Sequence, residues 1–136
     1  MDTGSSRIAV VGSVNLDLVA RVKQFPRPGE TVTNAILHRH PGGKGANQAL
    51  AARRLGANVL MVACVGDDHT ADEALANLKT EGVNLTGVHR LPNQVTGTAM
   101  ILVDASGENQ IVVAPGANAR FQPNLLQLPP VDAIVV

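Results

Sequence analysis

Two short apolar runs constrain the fold of this chain more than any other feature of its sequence. Residues 8–12 and 59–65 are uninterrupted and rich in residues that favour β-strands. Such runs are typical of strands covered on both faces, as in the parallel sheet of an α/β fold. Between them, the Ala- and Leu-rich residues 44–55 predict a helix that ends at Gly56. The order strand, insertion, helix, strand therefore predicts an α/β domain with a parallel sheet.

A second helix and a further strand extend this pattern. Four apolar residues recur at i, i+3, i+4 and i+7, the spacing of one helix face: Ala71, Ala74, Leu75 and Leu78. Thr70 and Glu73 have the spacing of a capping box at the start of this helix, and Gly82 predicts its end. Asp68 precedes the helix and can also cap its amide groups. Residues 133–136 predict another apolar strand.

Three other segments predict a small second sheet. Residues 16–22, 98–103 and 110–113 have the character of antiparallel hairpin strands, and residues 105–108 supply a turn between the last two. A sheet of this size buries little apolar surface by itself. It is therefore expected to lie over the main domain, against a partner, or both.

The composition argues against several classes of partner. The chain of 136 residues has two Phe, no Tyr and no Trp, so it has little with which to stack nucleic-acid bases. Its 11 basic and 11 acidic side chains give no electrostatic footprint for a phosphate backbone, so no nucleic-acid partner is expected. No apolar run approaches the roughly 20 residues of a membrane-spanning helix, so no membrane partner is expected either.

The single cysteine and the start of the chain point to the cytoplasm. Cys64 lies inside the second apolar run, which predicts a buried structural thiol in a reducing compartment. The apolar stretch at residues 8–11 is too short for a signal peptide. A cytoplasmic protein is therefore expected, with a disordered tail at residues 1–6.

Polar side chains emerge directly after the first strand. If residues 12–18 are extended, Asn15 and Asp17 point to one side and the apolar residues around them to the other. Ligands of open α/β sheets bind beyond the carboxyl ends of the strands. An ionised Asp accepts hydrogen bonds from vicinal hydroxyls and an Asn both donates and accepts, so the pair suits a polyol. The alternative is a solvated loop in which Asp17 caps a turn.

A glycine-rich segment, residues 41–49, leads into the first helix. Its glycines let the backbone approach a ligand closely, and the start of a helix offers free N–H donors. It is not a Walker A motif, because His38 stands where the first glycine would be and Gly45 where Ser or Thr would follow the lysine. Nor is it a dinucleotide-binding fingerprint, because Gln48 replaces the last glycine. The alternative is a connection that binds no ligand.

Taken together, these segments resemble the ribokinase-like (PfkB) family of sugar kinases. The resemblance extends from about residue 7 to residue 136 and includes the motifs at residues 12–17, 25–31, 42–47, 66–68, 107–109 and 116–118. It implies that residues 7–136 are the amino-terminal part of one ribokinase-like, Rossmann-like α/β domain, which is incomplete here. It also implies that the second sheet is a small antiparallel lid, formed from about residues 16–40 and 97–113.

The same resemblance implies a sugar-binding site. The residues that hold the sugar hydroxyls would be Asn15, Asp17, Gly43, Lys44 and Asn47. Gly42 and Gly45 would shape the loop around them. Ala99 and Ile101 would face the sugar from the lid, and two lids would clasp to form a homodimer.

The implied activity is the ATP-dependent phosphorylation of D-ribose, or a similar small sugar, to D-ribose 5-phosphate, with Mg²⁺ and a monovalent cation such as K⁺. In the family the base is the Asp of a later Gly-Ala-Gly-Asp motif. That Asp and most of the ATP and cation sites are expected beyond Val136, so this chain alone is expected to be inactive. Two alternatives stay open: a kinase for another sugar or a nucleoside, and an inactive sugar-binding or dimerisation module.

The remaining ionisable residues suggest no metal site within this chain. Adjacent Asp67 and Asp68 have the charge to attract a cation, but a turn residue and a helix cap explain them better. The four histidines lack the spacing of metal ligands and are predicted to lie on the surface: His38, His40, His69 and His89.

Overall fold

A computed structural model describes residues 4–136 of the chain. Its strands within this range are β1 (Arg7–Val11), β2 (Asn15–Arg21), β3 (Ile36–Gly42), β4 (Asn58–Gly66), β5 (Asn84–Leu91), β6 (Gly97–Val103), β7 (Asn109–Ala114) and β8 (Ala133–Val135). Its helices are α1 (Lys44–Arg54), α2 (His69–Thr80) and two short 3-10 helices, Gly116–Arg120 and Pro123–Leu125.

The first sheet has the order β5-β4-β1-β8, and all its neighbouring strands run parallel. On one face, Val10 and Met61 pack with Ala49 of α1 and Leu78 of α2 in the main core. The 3-10 helix Gly116–Arg120 contacts β4 as well. Every residue of β4 after Asn58 is buried. The parallel sheet predicted from the two uninterrupted apolar runs is thus confirmed.

The second sheet has the order β3-β2-β6-β7 and is mixed rather than purely antiparallel. β2 pairs antiparallel with β3, and β6 pairs antiparallel with β7, but the central pair β2 and β6 is parallel. The prediction of an antiparallel lid was wrong in this respect, because β2 and β6 are distant in sequence and both leave the main domain in the same direction. Several large apolar side chains of this sheet are exposed: Ile36, Leu37, Met100, Ile111, Val112 and Val113.

The start of α2 differs from the predicted capping box. The N-cap is Asp68, whose Oδ1 accepts a hydrogen bond from the Ala71 amide at 2.9 Å. Thr70 therefore lies within the first turn, and Glu73 binds Arg39 of β3 with two bonds of 2.9 Å. An ionised Asp ahead of the helix caps the free amides two residues earlier than Thr70 could. The predicted apolar face of α2 is buried as expected.

The start of the chain, the single cysteine and the histidines can also be compared with their predictions. The carbonyl of Ser6 accepts a hydrogen bond from the Asn58 amide at 2.8 Å, whereas residues 1–3 of the predicted tail lie outside the described residues. Cys64 is 1% exposed, and burial raises the pKa of its thiol, so it is a packed, protonated side chain as predicted. His38, His40 and His69 are exposed as predicted, whereas His89 is only partly exposed and is hydrogen-bonded to the Leu125 carbonyl at 3.0 Å.

No helix within residues 4–136 combines the length and the apolar character needed to cross a membrane.

Candidate functional site

The turn after β1 packs directly on the start of α1. A Cβ atom at Gly45 would lie 2.6 Å from the carbonyl carbon of Gly12 and 2.7 Å from the Ser13 amide nitrogen. The Ala46 amide donates to the Ser13 carbonyl at 3.0 Å. Because two backbones approach this closely only where one lacks a side chain, Gly45 fixes the distance between the glycine-rich loop and the first strand. The two predicted binding segments therefore meet.

Gly43 gives the loop its entry into the helix. It is the N-cap of α1 with φ 94° and ψ 136°, a conformation that other residues rarely adopt. A Cβ atom there would lie 2.7 Å from the Ser13 carbonyl oxygen and 2.9 Å from the Asn15 nitrogen. No side chain caps α1, and its first turn contains no acidic residue. The start of this helix is thus left open to a polar ligand, although the Ala46 amide is already used.

Asp17 lies half-buried against the end of β3. A Cβ atom at Gly42 would be 2.5 Å from Asp17 Cγ and 2.6 Å from Oδ1, so only glycine leaves room for the carboxylate. No side chain or amide within residues 4–136 donates a hydrogen bond to this carboxylate. Removal from water on burial raises the pKa of the Asp17 carboxyl, and the charge of His40 partly offsets that rise. A partly desolvated carboxylate without a partner is a strong acceptor for a ligand's hydroxyl groups.

Asn15 is held in place by a residue that is distant in sequence. Asn118 Nδ2 donates to Asn15 Oδ1 at 2.8 Å and to the Val14 carbonyl at 3.1 Å. The Val14 amide donates in return to Asn118 Oδ1 at 3.0 Å. The Oδ1 atom of Asn15 is therefore occupied, and its Nδ2 remains as a donor. Sequence reasoning missed this role of Asn118, which the motif at residues 116–118 signalled only through the family resemblance.

The other predicted site residues come from the second sheet and from α1, and they differ in their exposure to solvent. Ala99 is opposite Asp17 in the β2–β6 register and is 5% exposed. Ile101 lies two pairs further along, opposite Val19, and is half-buried. Lys44 and Asn47, in the first turn of α1, are exposed. The structure thus gathers Asn15, Asp17, Gly42, Gly43, Gly45 and Ala99, with Lys44 and Asn47 at the adjoining helix start and Ile101 along the strand.

A second network anchors the start of β6. Thr96, which is 2% exposed, donates from its hydroxyl to Asp68 Oδ1 at 2.6 Å and from its amide to Asp68 Oδ2 at 2.9 Å. The Gly66 amide donates to the same hydroxyl at 3.0 Å. Burial alone would raise the pKa of Asp68, but hydrogen bonds from Thr96 and Ala71 and the charge of Arg90 outweigh it and lower that pKa. Asp68 therefore caps α2 and fixes the second sheet to the first.

Comparison with known proteins assigns the chain to a family. Residues 5–136 match the family described as pfkB family carbohydrate kinase. Ribokinase of Bacillus subtilis is 44% identical over 134 residues, which are 95% of this chain and 45% of that protein. Deoxyribokinase of Salmonella typhi is 43% identical over 116 residues, which are 85% of this chain and 38% of that protein.

A solved structure gives the same result for the fold. The structure of Arabidopsis thaliana ribokinase complexed with ribose and ATP matches with a TM-score of 0.76 and 32% identity, covering 85% of this chain and 38% of that one. This chain thus spans less than half the length of these relatives. Sequence and fold agree, and the chain belongs to the pfkB family of carbohydrate kinases.

Proposed function

We propose that this chain is the sugar-binding part of an ATP-dependent kinase that phosphorylates D-ribose to D-ribose 5-phosphate. The observation that carries the proposal is the unpartnered Asp17 carboxylate, which lies against Gly42 and beside the open start of α1. Acceptor and donor groups therefore lie together at one edge of the fold. This is the combination that a molecule with several adjacent hydroxyl groups requires.

Each group has a distinct role in this proposal. Asp17 accepts from two sugar hydroxyls, and Asn15 donates from the amide nitrogen that Asn118 leaves free. Lys44 and Asn47 supply side-chain polar groups from the first turn of α1. A neutral hydrogen bond contributes about 0.5–1.5 kcal/mol and one to a charged group about 1.5–3 kcal/mol. Asp17 is therefore the largest single contributor to sugar affinity.

The phosphoryl donor and the cations are assigned to the whole protein. The Arabidopsis relative was solved with ribose and ATP, which supports ATP as donor. Within residues 4–136 no three His, Cys, Asp or Glu side chains cluster in a way that would hold a metal ion, so we assign no ligands here to Mg²⁺ or K⁺. We place the group that takes the proton from the sugar in the part of the relatives' length that this chain does not span.

The proposal includes a homodimer in the cytoplasm. The apolar side chains exposed on the second sheet would be covered if two such sheets clasped, which supports a dimer through the lid. The single cysteine is buried and free, which fits a reducing compartment. Light scattering of the full-length protein tests the dimer, and Val112→Lys on the exposed strand is expected to yield monomers.

The function is tested with the full-length protein in an assay of ADP release against ribose, 2-deoxyribose, fructose and adenosine. The relatives include both ribokinases and a deoxyribokinase, so the ratio between the first two sugars is the informative quantity. The proposal predicts the highest kcat/KM with ribose. Preference for 2-deoxyribose would move the assignment to a deoxyribokinase, and the absence of turnover with every sugar would overturn it.

A further inference from the structure

Two histidines on β3 lie next to the candidate site but have no part in the chemistry proposed above. His40 is the register partner of Asp17 across the antiparallel pair β2–β3, and His38 is the partner of Val19. Directly opposite residues in such a pair project to the same face, with Cβ atoms roughly 4.5–5.5 Å apart. His40 is therefore on the face of the second sheet that carries Asp17, together with Ala99 from the other side.

The His40 ring is oriented by its neighbour and is free to bind a ligand. The rings of His38 and His40 are stacked, with centroids 6.0 Å apart and planes 12° from parallel. Both residues are exposed. Neither ring nitrogen of His40 is hydrogen-bonded to another residue in the described part of the chain. Arg39, between them, lies on the opposite face and pairs with Glu73.

His40 and Asp17 are neighbours on the second sheet without forming an ion pair. Asp17 and His40 are directly opposite one another in the β2–β3 register, and the charge of His40 partly offsets the rise in the Asp17 pKa that burial causes. Yet among residues 4–136 they form no ion pair within 4.0 Å. Because an imidazole can donate or accept a hydrogen bond, His40 is chemically suited to a hydroxyl group bound at Asp17.

We propose that His40 is a specificity-determining residue of the sugar site, where its imidazole hydrogen-bonds to a hydroxyl of the same sugar that Asp17 binds. This inference rests on the proposed function and extends it by one residue. The alternative is that His40 is an exposed residue that binds no ligand. In that case its replacement would change neither the affinity for the sugar nor the preference among sugars. The prediction therefore concerns KM rather than stability.

The test uses the full-length protein with saturating ATP. His40→Ala is expected to raise the KM for ribose about threefold to tenfold, the effect of one lost hydrogen bond, with kcat and the KM for ATP unchanged. His40→Gln, which keeps a side-chain donor and acceptor, should recover at least half of the lost affinity. His69→Ala is the matched control, since His69 is also exposed but lies on α2, and it should leave every constant unchanged.

Two further readouts separate this inference from the proposed function. The His40→Ala effect should be smaller in an Asp17→Asn background, because both side chains act on one sugar. Addition of ribose should also shift the imidazole NMR signals of His40 but not those of His69. A wild type that phosphorylates ribose while His40→Ala keeps its KM overturns the role of His40 and leaves the function standing. A wild type that neither binds nor phosphorylates any sugar overturns both.

Discussion

Asn118 Nδ2 lies 2.8 Å from Asn15 Oδ1 and donates a hydrogen bond to it across 103 residues of sequence. The same amide group also forms two hydrogen bonds with the backbone of Val14. Through these bonds a residue outside both predicted binding segments sets the position and the orientation of the Asn15 amide. Asn118 is thus a positioning residue of the proposed sugar site.

Replacing Asn118 tests this role. Asn118→Ala leaves the Val14 amide and the Asn15 side chain without partners, so we expect a loss of about 1–3 kcal/mol in the free energy of unfolding. The KM for ribose should rise about tenfold, since the Asn15 amide is no longer fixed, an effect of about 1.4 kcal/mol. Asn124→Ala, at an exposed position of the second 3-10 helix, is the control. An unchanged KM in Asn118→Ala would remove Asn118 from the site.

The pKa values of Asp17 and Asp104 are shifted in opposite directions, so replacing each by Asn should change the melting temperature in opposite directions. Burial raises the pKa of Asp17, so its ionised form is less favourable in the folded than in the unfolded state. Asp17→Asn should therefore raise the melting temperature at pH 7, and the gain should fade as the pH falls through the raised folded pKa and be gone below about 4, where the unfolded carboxyl is protonated too. The substitution would thus stabilise the folded protein while it weakens sugar binding.

Asp104 is the matched comparison. A hydrogen bond from the Ser106 hydroxyl lowers the pKa of Asp104 in the turn after β6. This contribution to stability is present above the unfolded pKa and lost as the pH falls through the folded one, so Asp104→Asn should lower the melting temperature at pH 7. Melting curves of both variants from pH 3 to pH 8 check the signs. A decrease in both variants would contradict the account of Asp17.

Two glycines of the loop predict different consequences for alanine. At Gly45 the new Cβ atom meets the backbone of Gly12 and Ser13, which cannot move aside, so Gly45→Ala should cost roughly 1–3 kcal/mol in denaturant unfolding. At Gly42 the three nearest atoms all belong to the Asp17 carboxylate, a movable side chain, so Gly42→Ala should mainly raise the KM for ribose. Gly4→Ala, with no atom within 4 Å of its Cβ, is the control. Equal losses of stability at both sites would argue against this geometry.

The Asp68 network predicts a pH-dependent contribution to stability. Asp68→Ala removes the cap of α2 and the acceptor for Thr96, and loss of the cap alone should cost about 0.5–2 kcal/mol at pH 7. Because the folded pKa of Asp68 is lowered, the wild-type advantage is full above the unfolded pKa and decreases as the pH falls through the folded pKa. Urea unfolding between pH 2.5 and pH 7 measures it. The exposed neighbour supplies the control, Asp67→Ala, and an advantage that is as large at pH 2.5 as at pH 7 would contradict the network.

The elements that local sequence determines were predictable, whereas those that depend on distant contacts were not. The strands β1 and β4 and both helices followed from uninterrupted apolar runs and helical spacing. The strand β5 was missed because Gly87 interrupts it and its residues alternate only weakly in burial. The parallel pairing of β2 with β6 and the contacts of Asn118 and Thr96 join segments far apart in the chain, so no local pattern encodes them. For the same reason His40 was recognised only as a surface residue.

The binding of ribose to the full-length protein, measured by isothermal titration calorimetry with wild type and Asp17→Ala, tests the central claim most directly. Two hydrogen bonds from sugar hydroxyls to a carboxylate are lost in the variant, which should weaken binding at least a hundredfold, about 2.7 kcal/mol or more. The account predicts this loss with the fold intact in a thermal melt. Wild-type affinity for ribose in Asp17→Ala would show that the sugar binds elsewhere.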